Sequence, residues 1–198
     1  GDLYAKSPLA ALRAARHAGR LMAEDLINIG ITADCLPVLD VPQQGAHDVI
    51  GNRAYSLHIE QVMALARAHT AGLMDGGVLP VMKHIPGHGR AEVDSHHALP
   101  VVNARRQDLE QVDFPPFAAF ADAPMAMTAH VIYTAIDKTA PATLSRKLIK
   151  SVIRGQIGFR GLLLTDDLSM KALSGTLSEK CQAALKAGCD MLLHCNGV

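Results

Sequence analysis

The stretch Gly161-Leu162-Leu163-Leu164-Thr165-Asp166-Asp167 runs from a glycine through three leucines into a threonine and two carboxylates. A strand this apolar, read over 161–165, suits a sheet covered on both faces, which is the situation of parallel sheets. Working outward, Ser145 caps a helix to about Gly155 before this strand, and Ser178 caps one to Ala187 after it. Gly188 stops that helix, and 189–193 returns as a further apolar strand. Strand, helix, strand at this spacing requires a crossover and therefore a parallel βαβ unit.

The pattern extends toward the N-terminus. Ser7-Pro8 opens a helix, with a hydroxyl to cap it and a proline at its first position. Leu9, Leu12, Ala15, Met22 and Leu26 keep helical period until Gly30. A strand over 31–41, a helix over 57–72 and a short strand over 78–82 follow. A helix over 108–122 is expected to break or restart at Pro115-Pro116, and 125–133 is expected to form the next strand.

Each apolar run ends in reactive side chains: Asp40, then Lys83 and His84, then Thr128 and His130, then Asp166 and Asp167, then His194 and Asn196. Carboxyl ends of parallel strands are where α/β folds assemble their sites, in barrels and open sheets alike. The fold class is therefore α/β with a parallel sheet, in a single domain over 1–198. Five strands are fewer than the eight of a closed barrel, so if this is a barrel, about three strands lie outside the chain.

Composition removes several function classes. The 19 basic residues balance the 19 acidic ones, so no global field draws the chain to nucleic acid or to a membrane surface. No apolar run approaches the ~18 residues of a membrane span. The four cysteines (Cys35, Cys181, Cys189, Cys195) lack metal-type spacing and read as reduced, which favours the cytoplasm. The chain opens Gly-Asp-Leu-Tyr, without an initiator Met or a signal-peptide pattern.

The segment Lys83-His84-Ile85-Pro86-Gly87-His88-Gly89-Arg90, followed by Asp94-Ser95-His96-His97, holds four of the ten histidines. Three chemistries compete there. A metal pair at His84 and His88 needs a helix to align the rings, and Pro86-Gly87 opposes one. Histidines bonded only to backbone are the ordinary case, and that reading is kept for His88 and His97. An acid–base dyad in Asp94-x-His96 is the third, since residues two apart in an extended loop point to the same side. At the other strand end, Asp166 and Asp167 point oppositely, so one can face a pocket while the other caps the next turn. A carboxylate held beneath an anomeric carbon is a nucleophile suited to double displacement. Arg53, in Ile50-Gly51-Asn52-Arg53, has a planar fork able to grip hydroxyls or an acyl oxygen.

Taken together, Pro37-Val38-Leu39-Asp40, Ile50-Gly51-Asn52-Arg53, Lys83-His84-Ile85-Pro86-Gly87-His88-Gly89, Asp94-Ser95-His96, Met127-Thr128-Ala129-His130 and Thr165-Asp166-Asp167-Leu168-Ser169-Met170 resemble the bacterial β-N-acetylglucosaminidases of glycoside hydrolase family 3. The resemblance implies a TIM-type (β/α)8 barrel, here incomplete, with about five βα units and with N-terminal strands and the C-terminal end outside the chain. It implies Asp166 as nucleophile, His96 as general acid/base with Asp94 as its partner, and Arg53, Lys83 and His84 as groups that bind the N-acetylglucosamine ring. It implies a carbohydrate substrate containing N-acetylglucosamine, no metal or organic cofactor, and a monomer once the barrel is complete. It also implies a cytoplasmic role in cell-wall recycling. Family members usually carry an acidic D-Q-E-G-G-type segment on an earlier strand, and this chain has none. The alternatives are a family 3 β-glucosidase or phosphorylase, and a sugar-binding or inactive partial paralogue.

Overall fold

The structure, a computed structural model, describes residues 1–196. These contain β1 (Ala33–Asp34), β2 (Leu79–Ile85), β3 (Val101–Val102), β4 (Met125–Thr128), β5 (Ile132–Tyr133), β6 (Leu162–Asp167) and β7 (Met191–Leu193). The helices are α1 (Asp2–Lys6), α2 (Pro8–Asn28), α3 (Ile59–Asp75), α4 (Arg106–Asp108), α5 (Phe114–Ala118), α6 (Arg146–Leu148) and α7 (Leu177–Ala187). Two π-helical stretches, Leu109–Asp113 and Ile149–Gln156, continue α4 and α6.

Five strands form one parallel sheet in chain order, β1-β2-β4-β6-β7, as the alternating pattern predicts. Cross-strand register aligns Val81 with Met125 and Leu162, then Met82 with Ala126 and Leu163. Side chains alternate across a sheet, so these two rows face opposite ways. Met82, Ala126 and Leu163 join the large core under the helices, with Phe117, Phe120, Val152 and Ala184. Val81, Met127 and Leu164 form a smaller cluster on the other face, against Cys35, Met125, Leu162 and Leu193. In a flat five-stranded sheet the outer strands would stand roughly 19 Å apart. Here residues just beyond β1 and β7, Cys35 and Cys195, line the same cavity, so the sheet curls into an open half-barrel around that second face.

Several boundaries differ from the sequence reading. The strand over 31–41 shrinks to Ala33–Asp34, because Pro37 has no N–H to donate; pairing with β2 resumes only at Val38–Lys83. The strand over 125–133 divides at Ala129-Val131, with β4 in the main sheet and β5 paired to β3 in a separate two-stranded sheet. The helix expected over 108–122 runs from Arg106 to Ala118 and changes from π to α winding at Phe114, just ahead of Pro115 and Pro116. The last helix is capped by Thr176 in a capping box with Glu179, two residues before the expected Ser178. Ser7, Ser145 and Gly188 act as read: Ser7 accepts from Ala10, Ser145 accepts from Leu148, and Gly188 closes α7 at φ 116°.

The long helices α2 and α3 cross at two glycines. A Cβ on Gly72 would collide with the carbonyl of Arg16, and one on Gly19 with that of His69. Backbone obstacles cannot rotate away, so Gly72→Ala is expected to destabilise the fold by about 1–3 kcal/mol, overriding the helix preference of alanine. Urea unfolding checks this; an unchanged or raised midpoint would contradict the close crossing.

Candidate active site

A cavity of about 310 Å³ opens at the carboxyl ends of the strands. Alternation explains much of its lining. On β2 the row Val81, Lys83 faces the half-barrel interior, and on β6 the row Leu162, Leu164 leads to Asp166. Lys83 and Asp166 both line the cavity, with Arg53, His84 and His96 from the loops around it. Asp94 is outside the lining and reaches it through His96.

Asp40 organises one wall. It is fully buried, and its Oδ2 lies 2.7 Å from His84 Nδ1. Its Oδ1 accepts the backbone N–H of His88 at 2.6 Å and that of His84 at 3.4 Å. Burial opposes ionisation, but the His84 ring and these donors outweigh it and hold the carboxyl below the usual carboxylate range. The loop after β2 is thus wrapped round one buried anion. Sequence reading noticed Asp40 only as a polar strand end; its partners lie 44 and 48 residues away, and nothing local announces them.

Beyond that wall, His88 Nε2 lies 3.3 Å from Ser95 Oγ, and both residues are buried. Tyr133 donates its hydroxyl to the Gly87 carbonyl at 2.7 Å, and Arg90 reaches Asp113 at 2.7 Å. These contacts pin the loop ahead of Asp94-Ser95-His96 and hold Ser95 itself. Asp94 Oδ1 accepts the backbone N–H of His96 at 2.8 Å and lies 2.7 Å from its Nδ1. Slight burial raises the Asp94 carboxyl, but the His96 hydrogen bonds prevail and lower it. A carboxylate at Nδ1 fixes the ring so that Nε2 is the atom free to exchange a proton with a ligand. The His96 side chain is 57% exposed, so that exchange needs no opening of the core.

The paired aspartates both line the cavity but take different partners. Asp166 Oδ1 accepts the backbone N–H of Asp167 at 2.8 Å, leaving its second oxygen for the cavity. Asp167 turns to the following loop, accepting from Ser169 at its backbone N–H and hydroxyl and from the Cys195 N–H at 3.1 Å. Arg53 donates to the Val49 carbonyl at 2.6 Å, which holds its fork at the rim. Among the described residues, Lys83 Nζ has no hydrogen-bond partner. The lining also includes Asp167, and Cys35, Met127, Met170 and Cys195, to which the sequence assigns no individual role.

Two buried groups beside the site oppose each other in acid. Burial, then the neighbouring His84, pushes His88 down to about 4. A lowered histidine leaves the unfolded chain binding more protons, so its contribution is lost as pH falls from ~6.5 to about 4, roughly 3 kcal/mol in all. Asp113 is raised by burial to about 6 despite Arg90, so its contribution is lost as pH rises through that window. The two largely cancel. His88→Gln, which keeps a donor for Ser95, is expected to leave the Asp113 effect alone. Its unfolding free energy should then increase from pH 6.5 to 4.5 relative to the parent, by roughly 2–3 kcal/mol. Parallel pH profiles for the two proteins would contradict the neutral buried His88.

Residues 5–198 match the glycosyl hydrolase family 3 N-terminal domain. A β-hexosaminidase of Bordetella avium is 40% identical over 200 residues, covering 99% of this chain and 57% of the relative. One from Chromobacterium violaceum is 44% identical over 190 residues, covering 94% of this chain and 53% of the relative. The chain therefore spans little more than half the length of the curated relatives it matches. NagZ from Neisseria gonorrhoeae, solved in complex with N-trifluoroacetyl-D-glucosamine, superposes with a TM-score of 0.90 at 38% identity, covering 98% of this chain and 57% of that one. A family 3 β-N-acetylglucosaminidase from Paenibacillus sp. superposes at 0.86 with 35% identity, covering 93% of this chain and 37% of that one. With the family match running almost end to end, this chain belongs to the glycosyl hydrolase family 3 N-terminal domain family.

Proposed function

We propose that this chain carries the catalytic machinery of a retaining β-N-acetylglucosaminidase, which removes a non-reducing terminal N-acetylglucosamine from muropeptide or chitooligosaccharide substrates in cell-wall recycling. The observation that carries this reading is the sharing of one cavity by Asp166 and His96, with Asp94 2.7 Å behind the histidine. The NagZ relative bound to an N-acylated glucosamine supports the sugar class.

In the first step, a free Asp166 oxygen attacks the anomeric carbon. The bond to the departing oxygen breaks, and His96 Nε2–H supplies its proton. In the second, neutral His96 takes a proton from water, which attacks the same carbon and releases the Asp166 carboxylate. Two inversions give retention. Asp94 holds the imidazole in orientation and balances the charge it carries. Arg53, Lys83 and His84 grip the ring, with His84 oriented by Asp40 on its far side. Each step uses side chains of this chain. The reading also includes a cytoplasmic monomer, and a barrel completed by further strands beside β1 and β7. The greater length of the relatives and the absence, among the described residues, of a second neighbour for either strand support that completion.

Product analysis tests the function. The full-length protein is expected to release N-acetylglucosamine from a nitrophenyl N-acetyl-β-glucosaminide with the β-anomer formed first, equally with and without phosphate. Residues 1–198 alone are expected to show little turnover. Preference for the plain β-glucoside, or a sugar phosphate as product, would replace this reading with a glucosidase or a phosphorylase. Sugar binding without turnover would leave a binding module.

A further inference from the structure

His130 stands just beyond β4, behind the Asp166 strand end, and the functional reading gives it no task. It is fully buried, as are Thr128 and Thr143 beside it. Its Nε2 lies 3.0 Å from the backbone carbonyl of Asp167, and its Nδ1 lies 2.7 Å from Thr143 Oγ1. Thr143 Oγ1 lies in turn 2.8 Å from Thr128 Oγ1.

The chemistry of these partners fixes every proton. A carbonyl oxygen only accepts, so His130 Nε2 must carry hydrogen. Burial disfavours the charged ring and, despite the nearby Asp166 carboxylate, lowers its tendency to protonate. Nδ1 is then an acceptor, and Thr143 donates to it at 2.7 Å, with the Ala129 carbonyl a longer second acceptor of the same hydroxyl at 3.1 Å. Thr143 in turn accepts from the Thr128 hydroxyl. The result is a directed chain, Thr128 to Thr143 to His130 to the Asp167 carbonyl. The chain ties β4 and the Ala142–Leu144 turn to the peptide that follows Asp167.

Asp167 carries both that carbonyl and, on its preceding peptide, the N–H that meets Asp166. The Asp167 N–H holds Asp166 Oδ1 at 2.8 Å, so moving the Asp167 backbone moves the carboxylate it aims. The β6 ladder is irregular between Leu164 and Asp167 and resumes at Asp167, where the Leu168 N–H meets the Leu193 carbonyl at 2.9 Å and the Asp167 carbonyl accepts the Met170 N–H at 3.1 Å. His130 adds a second donor to that carbonyl, from the β4 side.

We propose that His130 is a positioning residue that holds the Asp166-Asp167 strand end in its attacking register through the Asp167 carbonyl, without touching the substrate. This rests on Asp166 being the nucleophile. A glutamine can offer an amide N–H where the imidazole has Nε2–H; a leucine fills the space and offers nothing. In the full-length protein, His130→Leu is expected to lower kcat roughly 10²-fold with KM little changed, because a misplaced nucleophile weakens the transition state and leaves the sugar-binding groups intact. His130→Gln is expected to recover at least roughly tenfold of that loss. Thr143→Val, which removes the donor to Nδ1, should lie between the parent and the leucine variant.

Nitrogen-15 NMR of the parent supplies a readout independent of turnover: His130 should be neutral with its proton on Nε2, coupled across the hydrogen bond to the Asp167 carbonyl. Equal losses for the leucine and glutamine variants, each unfolding like the parent, would overturn the proposal, as would full kcat in His130→Leu. A proton on Nδ1 with Nε2 bare would overturn it even if the leucine variant does not fold. No turnover in the parent would defeat the proposed function instead, and the NMR result would still decide whether His130 holds Asp167.

Discussion

Replacing Asp166 with alanine is expected to lower turnover of any N-acetyl-β-glucosaminide by at least about 10⁴-fold in the full-length protein, the scale on which losing a nucleophile is felt. Asp166 extends the inward row of β6 into the cavity, with one oxygen held by the Asp167 N–H. Asp167 also lines the cavity, but it spends its acceptors on Ser169 and the Cys195 N–H and is not free to take over. The loss should therefore be independent of leaving group. Azide, small enough to enter the vacated space, should attack the anomeric carbon from the Asp166 side and yield the α-glycosyl azide. Circular dichroism and the unfolding midpoint should match the parent, since no packing depends on this carboxylate. Loss of both folding and activity would show that the residue has a structural task instead.

The second large effect belongs to His96. With an alkyl or sugar leaving group, His96→Ala is expected to reduce kcat/KM by roughly 10²–10⁴-fold, the usual worth of general acid–base catalysis. With a nitrophenyl group, whose oxygen leaves unprotonated, bond cleavage should change little and breakdown of the glycosyl-enzyme should become limiting. A burst of nitrophenol should then precede slow turnover. Asp94→Asn should follow the same pattern in milder form, because the ring remains but loses its charged partner 2.7 Å away. Equal losses on both substrate types would remove His96 from the acid/base role.

Much of this arrangement was legible in the chain because it follows from alternation. Once 161–165 is a buried strand, Asp166 and Asp167 fall at its carboxyl end; both line the cavity, and Asp167 also ties the next turn through Ser169 and the Cys195 N–H. Caps declared by a hydroxyl before a helix, as at Ser7 and Ser145, also read correctly; at the last helix the reciprocal partner Glu179 selects Thr176 over Ser178. What stayed hidden depends on partners distant in sequence. Asp40 resembles any polar strand end until it meets the loop after β2. His88 and Ser95 are an unremarkable histidine and serine until burial brings them together. The split of 125–133 escaped notice because both halves are apolar; the change of sheet is set by the pairing of Ile132 with Val101 and of Tyr133 with Val102.

The central claim is a covalent glycosyl-enzyme on Asp166. Some N-acetylhexosaminidases use the substrate's own acetamido group as nucleophile, and those never attach sugar to protein. A 5-fluoro-N-acetylglucosaminyl fluoride slows both steps but retains a good leaving group, so the intermediate accumulates when a protein nucleophile exists. Mass spectrometry of the digested full-length protein should then find one sugar equivalent on the peptide containing Thr165-Asp166-Asp167, with fragmentation placing it on Asp166. Inactivation without any adduct, or a sugar on a different residue, would contradict this account.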